Sequence, residues 1–320
     1  MLLVGKINNP RFFFCTGVCI VKFKKKLLRR AAPCETTGLT KRLLSLSMPL
    51  SLNRLIINLL HSVESVFIPG MLRLSGLTNS AALSLYGILN GMAIPFILFP
   101  SAIPNALSVL LLPAVSENLE EQNRPRLQQC VGNAVKYSVI IGLFSTAVFF
   151  YFGRDIGMAV YHNTLAGDYI RILSPLCPLL YLSTTLGSVI NGLGKPHLSF
   201  FTTVTGLLVR LAIIVFFVPK AGIYGVLIGL LVSQLVSTLF DAILVLKHCR
   251  AFPPVSQWLL IPAVFAFLPA QLLVPIYRYL QRETQLSSLL LLLGICGLFC
   301  ALYIVLLFLT KIIRKEDWRD

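Results

Sequence analysis

Charge is what this sequence has least of. Only 12% of its 320 residues are Asp, Glu, Lys or Arg, 56% are hydrophobic, and the mean hydropathy is +0.82. A soluble domain is roughly a quarter charged, so a water-soluble globule of this size would lack the polar surface to cover it. Acidic groups are scarcest, 12 against 28 Lys and Arg, and no paired-carboxylate set stands ready to work as general acid and base. Eight cysteines include no CxxC, so zinc-site and thioredoxin-like patterns both fail. Cys15 and Cys19, and Cys296 and Cys300, are i,i+4 pairs in apolar runs without His or carboxylate nearby. That is the setting of small buried residues in membrane helices. These absences exclude a secreted disulfide scaffold, a soluble Rossmann or TIM-barrel enzyme and a nucleic-acid-binding domain. No metal and no cofactor is expected, and an enzyme is not.

What the chain has instead is apolar runs of eighteen residues or more, the length a helix needs to cross about 30 Å of hydrocarbon. The pattern predicts an all-α, polytopic membrane protein with eight spanning helices near 49–70, 82–112, 131–152, 169–192, 198–218, 222–246, 257–277 and 287–310. Pro95, Pro100 and Pro104 predict a kink in the second. Connections are short except for the polar stretch Ser116 to Arg126, and Gly87/Gly91 and Gly225/Gly229 have the four-residue spacing of close helix packing.

Basic residues are unevenly placed. Eight crowd Lys22 to Arg42, and counting alternate loops puts seventeen Lys and Arg on one side against five on the other. The positive-inside rule then places both ends of the eight-helix unit in the cytoplasm. The basic cluster also offers a surface for membrane lipid headgroups. Phe12 to Val21 is apolar for only ten residues, too short to span. It reads as the tail of a helix.

Intramembrane charge is costly and marks function by default. The first span carries Arg54, Asn58, His61, Glu64 and Ser65. At about 100° per residue, Arg54, Asn58, His61 and Ser65 fall within about 60° of one another, with Glu64 about 60° beyond His61. One reading is the wall of a cationic cavity, with Arg54 presenting a planar fork to phosphate. The other is a stripe packed against neighbouring helices, with Arg54 snorkelling to the interface. Arg210, well inside the fifth span, is the second cation; Asp241 is expected to reach water near the end of the sixth. Lys136 and Arg171 read as interfacial, and His162, His197 and His248 as loop residues. Arg154, Asp155, His162 and Asp168 read as a solvated loop cluster, as do Glu117, Glu120 and Glu121.

Several stretches are more specific. Leu85-Tyr86-Gly87 through Gly91-Met92-Ala93, Phe99-Pro100-Ser101 and Leu112-Pro113-Ala114-Val115-Ser116-Glu117 are followed by Asn191-Gly192-Leu193-Gly194-Lys195-Pro196 and Pro219-Lys220-Ala221-Gly222-Ile223-Tyr224-Gly225. In order and spacing they resemble the polysaccharide-transporter branch of the multidrug/oligosaccharidyl-lipid/polysaccharide exporter (MOP, MATE-like) superfamily, nearest its sporulation subgroup. The resemblance runs over about residues 43–312. It implies a flippase for lipid-linked oligosaccharide or cell-wall precursors, of the kind used in polysaccharide or peptidoglycan biosynthesis and sporulation, in the bacterial cell membrane.

Such proteins have two six-helix lobes around a central cavity, and this branch adds two C-terminal helices. By that likeness, residues 1–42 are a remnant helix and basic cytoplasmic connector, 43–248 the second lobe, and 249–320 the extra pair and a cytoplasmic tail. A first lobe would then be missing. Alternating access needs one bundle to rock against another, so the expected partner is a separately made first lobe or a second copy of the chain. The expected substrate is an undecaprenyl-pyrophosphate-linked glycan, held by Arg54 first and Arg210 second, with Asn58, His61 and Ser65 along the cavity and Glu64 as counter-ion or coupling site. Relatives that flip lipid II carry an arginine in the helix matching 82–112, where this chain has Gly87-Ile88-Leu89-Asn90-Gly91. The alternatives are a drug or cation antiporter of the same superfamily, a non-transporting membrane partner, or an inactive fragment.

Overall fold

A computed structural model describes the backbone over residues 39–249, 256–283 and 287–310, with side chains over 51–249, 258–283 and 287–310. The apolar run at 12–21, the basic stretch at 22–38 and the tail at 311–320 lie outside the described residues. The chain divides into two units, residues 1–56 and 57–320. Among the described residues every regular element is helical.

In chain order the helices are α1 (Leu39–Leu74), α2 (Asn79–Ile88), α3 (Ile94–Leu98), α4 (Ala102–Glu120), α5 (Arg124–Tyr161), α6 (Thr164–Ile172), α7 (Leu176–Gly192), α8 (Pro196–Ala221), α9 (Ile223–Cys249), α10 (Ile261–Glu283) and α11 (Ser288–Leu309). Among the described residues seven helical stretches are long and apolar enough to cross a bilayer, and there are eight if α6 and α7, bent by 56°, count as one span. The protein is therefore a multi-pass helical membrane protein, with spans where hydropathy predicts them.

The second span is the least regular, as its prolines foretell. It runs over Asn79–Glu120, but a wide turn at Leu89–Ala93 and a tight one at Phe99–Ser101 interrupt it. In hydrocarbon no water serves the carbonyls a break sets free, so side chains must. Ser101 Oγ donates to Leu98 O at 2.6 Å, and the buried Tyr181 hydroxyl, from α7, donates to Ile97 O at 2.9 Å. The bend between α6 and α7 is served similarly. Thr146 Oγ1 of α5 donates to Ser174 O at 3.1 Å, just before Pro175.

Helix α5 is the hub. Two thirds of its most apolar stretch is buried, more than in any other described span, with Val139, Ile140, Phe149 and Phe152 packed inside. It starts on an Asn123 cap, whose Oδ1 accepts from Arg126 N at 3.2 Å. It ends at His162, in the left-handed region at φ 50°. Hydroxyls tie α5 to its neighbours: Ser138 and Thr185 share a buried 2.6 Å hydrogen bond, and Tyr303 donates to Ile140 O at 3.2 Å.

Three details depart from the sequence expectation. The polar stretch after the second span is helix almost throughout, because α4 runs on to Glu120 and α5 begins at Arg124. Ser116 secures that extension by donating to Gly192 O at 2.9 Å. His197 and His248 lie inside α8 and α9 rather than in loops. The two glycine pairs also differ from each other. Gly225 and Gly229 do let α8 and α9 approach, since a methyl at Gly225 would sit 3.0 Å from Val218 Cα. A methyl at Gly87 or Gly91 would meet nothing within 4 Å.

The closest approach lies elsewhere, where α5 and α6 fold back on each other. A Cβ at Gly157 would fall 2.3 Å from the backbone nitrogen of Gly167. We predict that Gly157→Ala lowers the thermal midpoint of the detergent-solubilised protein, by the about 1–3 kcal/mol of an overpacked core. Gly87→Ala should leave it unchanged or raise it slightly, by up to about 1 kcal/mol of helix propensity. Equal effects of the two changes would contradict this packing.

Candidate functional site

The polar stripe of α1 acquires a partner from 146 residues away in the chain. Arg210 lies fourteen residues into α8, or about 21 Å from the helix start at 1.5 Å per residue. Its Nη2 stands 2.8 Å from Glu64 Oε2, with both side chains largely buried, at 16% and 12% exposure. At such burial each charge compensates the desolvation of the other. The stem of Arg210 reaches the pair past Gly229 of α9, where a Cβ would come within 3.9 Å of Arg210 Cγ.

His61 completes the cluster one turn before Glu64. Its Nδ1 lies 3.4 Å from Glu64 Oε2 and 3.5 Å from Arg210 Nη2. As a neutral acceptor Nδ1 would take a hydrogen from the guanidinium; as a donor it would give one to the carboxylate. The arrangement therefore accommodates either tautomer of the imidazole. Arg210 keeps one donor in reserve. Its Nε is buried and has no hydrogen-bond partner among the described residues.

Asn58 and Ser65 stay outside the cluster. Asn58 is exposed, and its carbonyl accepts from Ser62 Oγ at 2.9 Å. Ser65 turns its hydroxyl onto its own helix, donating to His61 O at 2.9 Å. Arg54 belongs to the first unit, where its side chain is exposed.

Two expectations are corrected. Asp241 does not reach water: it is 3% exposed and accepts from Ser183 Oγ at 2.9 Å and Thr202 Oγ1 at 2.6 Å. Hydroxyls on α7 and α8 face it, a convergence across three helices that periodicity along one cannot reveal. Arg154 and Asp168 are helical residues of α5 and α6, joined by an ion pair, rather than members of a solvated loop. No group of three or more His, Cys, Asp or Glu able to hold a metal occurs among the described residues.

The site is thus a mid-span ion pair with a spare donor, set among helices of which some are broken. The MatE family profile matches residues 55–218, half of the chain. The chain belongs to this family, within the MOP superfamily. It is 25% identical to stage V sporulation protein B of Bacillus subtilis (strain 168) over 99% of its own length and 61% of the relative's. It is likewise 24% identical to sporulation protein YkvU of that organism, over 54% of the chain and 39% of the relative, and 25% identical to the probable multidrug resistance protein YoeA, over 54% and 36%. Among solved structures it resembles the lipid II flippase MurJ in its inward closed conformation, with TM-score 0.60 over 89% of the chain and 58% of the neighbour. At 15% identity that likeness shows the fold. The chain thus spans about three fifths of the first of these relatives and of the flippase structure.

The pairing of Glu64 with Arg210 generates a direct test. Removing one partner strands the other charge, at a cost of about 3–5 kcal/mol for a buried pair. We predict that Glu64→Gln and Arg210→Gln each lower the thermal midpoint sharply, while the double variant recovers much of the loss. Additive losses in that cycle would show that the two groups do not depend on one another.

Proposed function

We propose that the chain forms one side of a flippase that moves a lipid-linked, pyrophosphate-bearing glycan or cell-wall precursor across the cell membrane. The observation that carries this reading is Arg210. It is a guanidinium held at mid-span by Glu64, with its Nε unpartnered. A guanidinium is always charged and presents its donors in a fixed fork suited to phosphate oxygens. The lipid tail of such a substrate needs no enclosure and can remain in the bilayer. Arg54, on the same helix as Glu64 and exposed, is a second phosphate-binding candidate. Asn58, His61 and Ser65 supply further polar groups beside the path.

Membership of the MatE family and the fold likeness to a lipid II flippase support this reading. In it the helices work against a second bundle that completes the cavity, contributed by a first lobe or by another copy of the chain. The excess of Lys and Arg in alternate loops sets the orientation, with both ends of the eight-helix unit cytoplasmic. The antiporter reading draws on the likeness to the probable multidrug resistance protein. It is weaker at this site, because Glu64, the carboxylate beside His61, already holds Arg210 as a resident cation.

The test separates charge from shape. Arg210→Lys keeps a cation beside Glu64 and loses the fork. In vesicles bearing the complete transporter, it should insert and accumulate normally yet flip undecaprenyl-pyrophosphate-linked oligosaccharide about 10- to 100-fold more slowly. That range corresponds to losing a charge-assisted hydrogen bond of about 1.5–3 kcal/mol. Arg54→Ala should likewise abolish flipping at unchanged abundance. Wild-type flipping by both variants would reject the assignment.

A further inference from the structure

The bundle buries a second carboxyl group and treats it differently. Asp241 lies two thirds of the way along α9, where α7, α8 and α9 meet. Its neighbours are neutral. Ser183 donates to Oδ2 at 2.9 Å and Thr202 to Oδ1 at 2.6 Å. Around them, Ser237 Oγ donates to Thr202 O at 3.3 Å and Thr238 Oγ1 to Leu179 O at 3.1 Å. Among the described residues no Lys, Arg or His stands within ion-pair distance of Asp241.

The other titratable groups on these helices are placed elsewhere. On α7, Tyr181 is committed to Ile97 O, and Cys177 is buried near it in the chain. On α8, Arg210 serves Glu64, Lys220 lies at the far end, and His197 is about 7 Å along the axis from Thr202. On α9, Tyr224 is at the opposite end, His248 approaches Leu244 O at 2.8 Å, and Lys247 is about 9 Å along the axis from Asp241. Helix α5, which touches α9 more lightly, carries Lys136 over the ring of Tyr137 at 5.6 Å.

Glu64, also largely buried, is given a guanidinium; Asp241 is given two hydroxyls. An ionised carboxylate buried without a cation is too costly to persist, and such a group takes up a proton instead. The hydrogen bonds fit the acid. A proton on Oδ1 is donated to Thr202 Oγ1, whose own hydrogen then turns to Ser199 O, 2.9 Å away. Ser183 continues to donate to Oδ2, and each hydrogen is used once. In the ionised form Thr202 donates to Oδ1 and Ser199 O keeps the hydrogen of Thr203 Oγ1, 2.9 Å away, so burial without a cation is what favours the acid. A metal cation fits less well, because to sit between Oδ1 and Thr202 Oγ1 it would have to part oxygens now 2.6 Å apart.

The geometry points to Asp241 as a proton-binding site, a neutral carboxylic acid while α7, α8 and α9 are closed around it, which releases its proton when that junction opens to water. Proton occupancy and the packing of these three helices are thereby linked, because a ligand that binds one arrangement better shifts the population toward it. This inference rests on burial and hydrogen bonding alone, so it stands apart from the choice of transported substrate.

Infrared spectroscopy of the full chain in lipid vesicles at neutral pH tests it. The expected result is a carbonyl stretch from a protonated carboxylic acid that is lost in Asp241→Asn and kept in Glu64→Gln. The Asn variant should fold, since its amide N–H donates to Thr202 where the acid O–H did and its carbonyl accepts from Ser183. Carboxyl-labelled aspartate in the unmodified chain gives the same reading without substitution, because the label should shift the band. Absence of the band at neutral pH, its survival in Asp241→Asn, or its insensitivity to the label would overturn the proposal. Loss of the band on adding sodium at fixed pH would overturn it too, by making the ligand a metal cation.

Discussion

In hydrocarbon a polar group has no water to fall back on, and that constraint organises most of what is distinctive in this chain. Regular helices meet it by themselves. At two places where the chain departs from a regular helix, a hydroxyl from a neighbour is set opposite the break. Tyr181 answers the tight turn after Leu98, and Thr146 answers the bend before Pro175. These two breaks are consequently fixed features of the bundle, each held by a side chain on a different helix.

The same constraint governs charge, and the bundle meets it in two ways. Glu64 and Arg210 neutralise one another across α1 and α8, with His61 beside them. Asp241 is surrounded by hydroxyls at the junction of α7, α8 and α9. A glycine helps make the second arrangement reachable. Gly206 lets Ser237 come close, a Cβ there falling 3.0 Å from Ser237 Cβ. Packing and polar placement are one design problem here, since the helices must approach closely for short hydroxyl side chains to span the gap.

Hydropathy made the eight spans and the disrupted second one legible in the sequence, because a spanning helix must be apolar throughout and proline removes a backbone donor. Glu64, His61 and Arg210 were each conspicuous as polar residues in apolar surroundings. Their meeting was not, since a pair so far apart in the chain depends on how α1 and α8 are placed. Asp241 shows the limit most clearly. Its closeness to a helix end argued for solvent, yet the faces of α7 and α8 that close over it are set by tertiary packing. The extension of α4 to Glu120 was hidden for a simpler reason: Ser116, Glu117 and Glu120 look like loop in a scale built on hydrophobicity, although an aqueous helix end tolerates them.

The central claim is that the face of α1 bearing His61 and Glu64 borders a polar path rather than lipid. A single cysteine at Asn58, an exposed position on that face, tests it most directly. In a variant otherwise free of cysteine, a membrane-impermeant maleimide applied to intact vesicles should label Asn58→Cys and leave Phe299→Cys, at a fully buried position, unmodified. If Asn58→Cys is protected as completely as Phe299→Cys from both sides of the membrane, the face is sealed and the account of a substrate path beside Arg210 is contradicted.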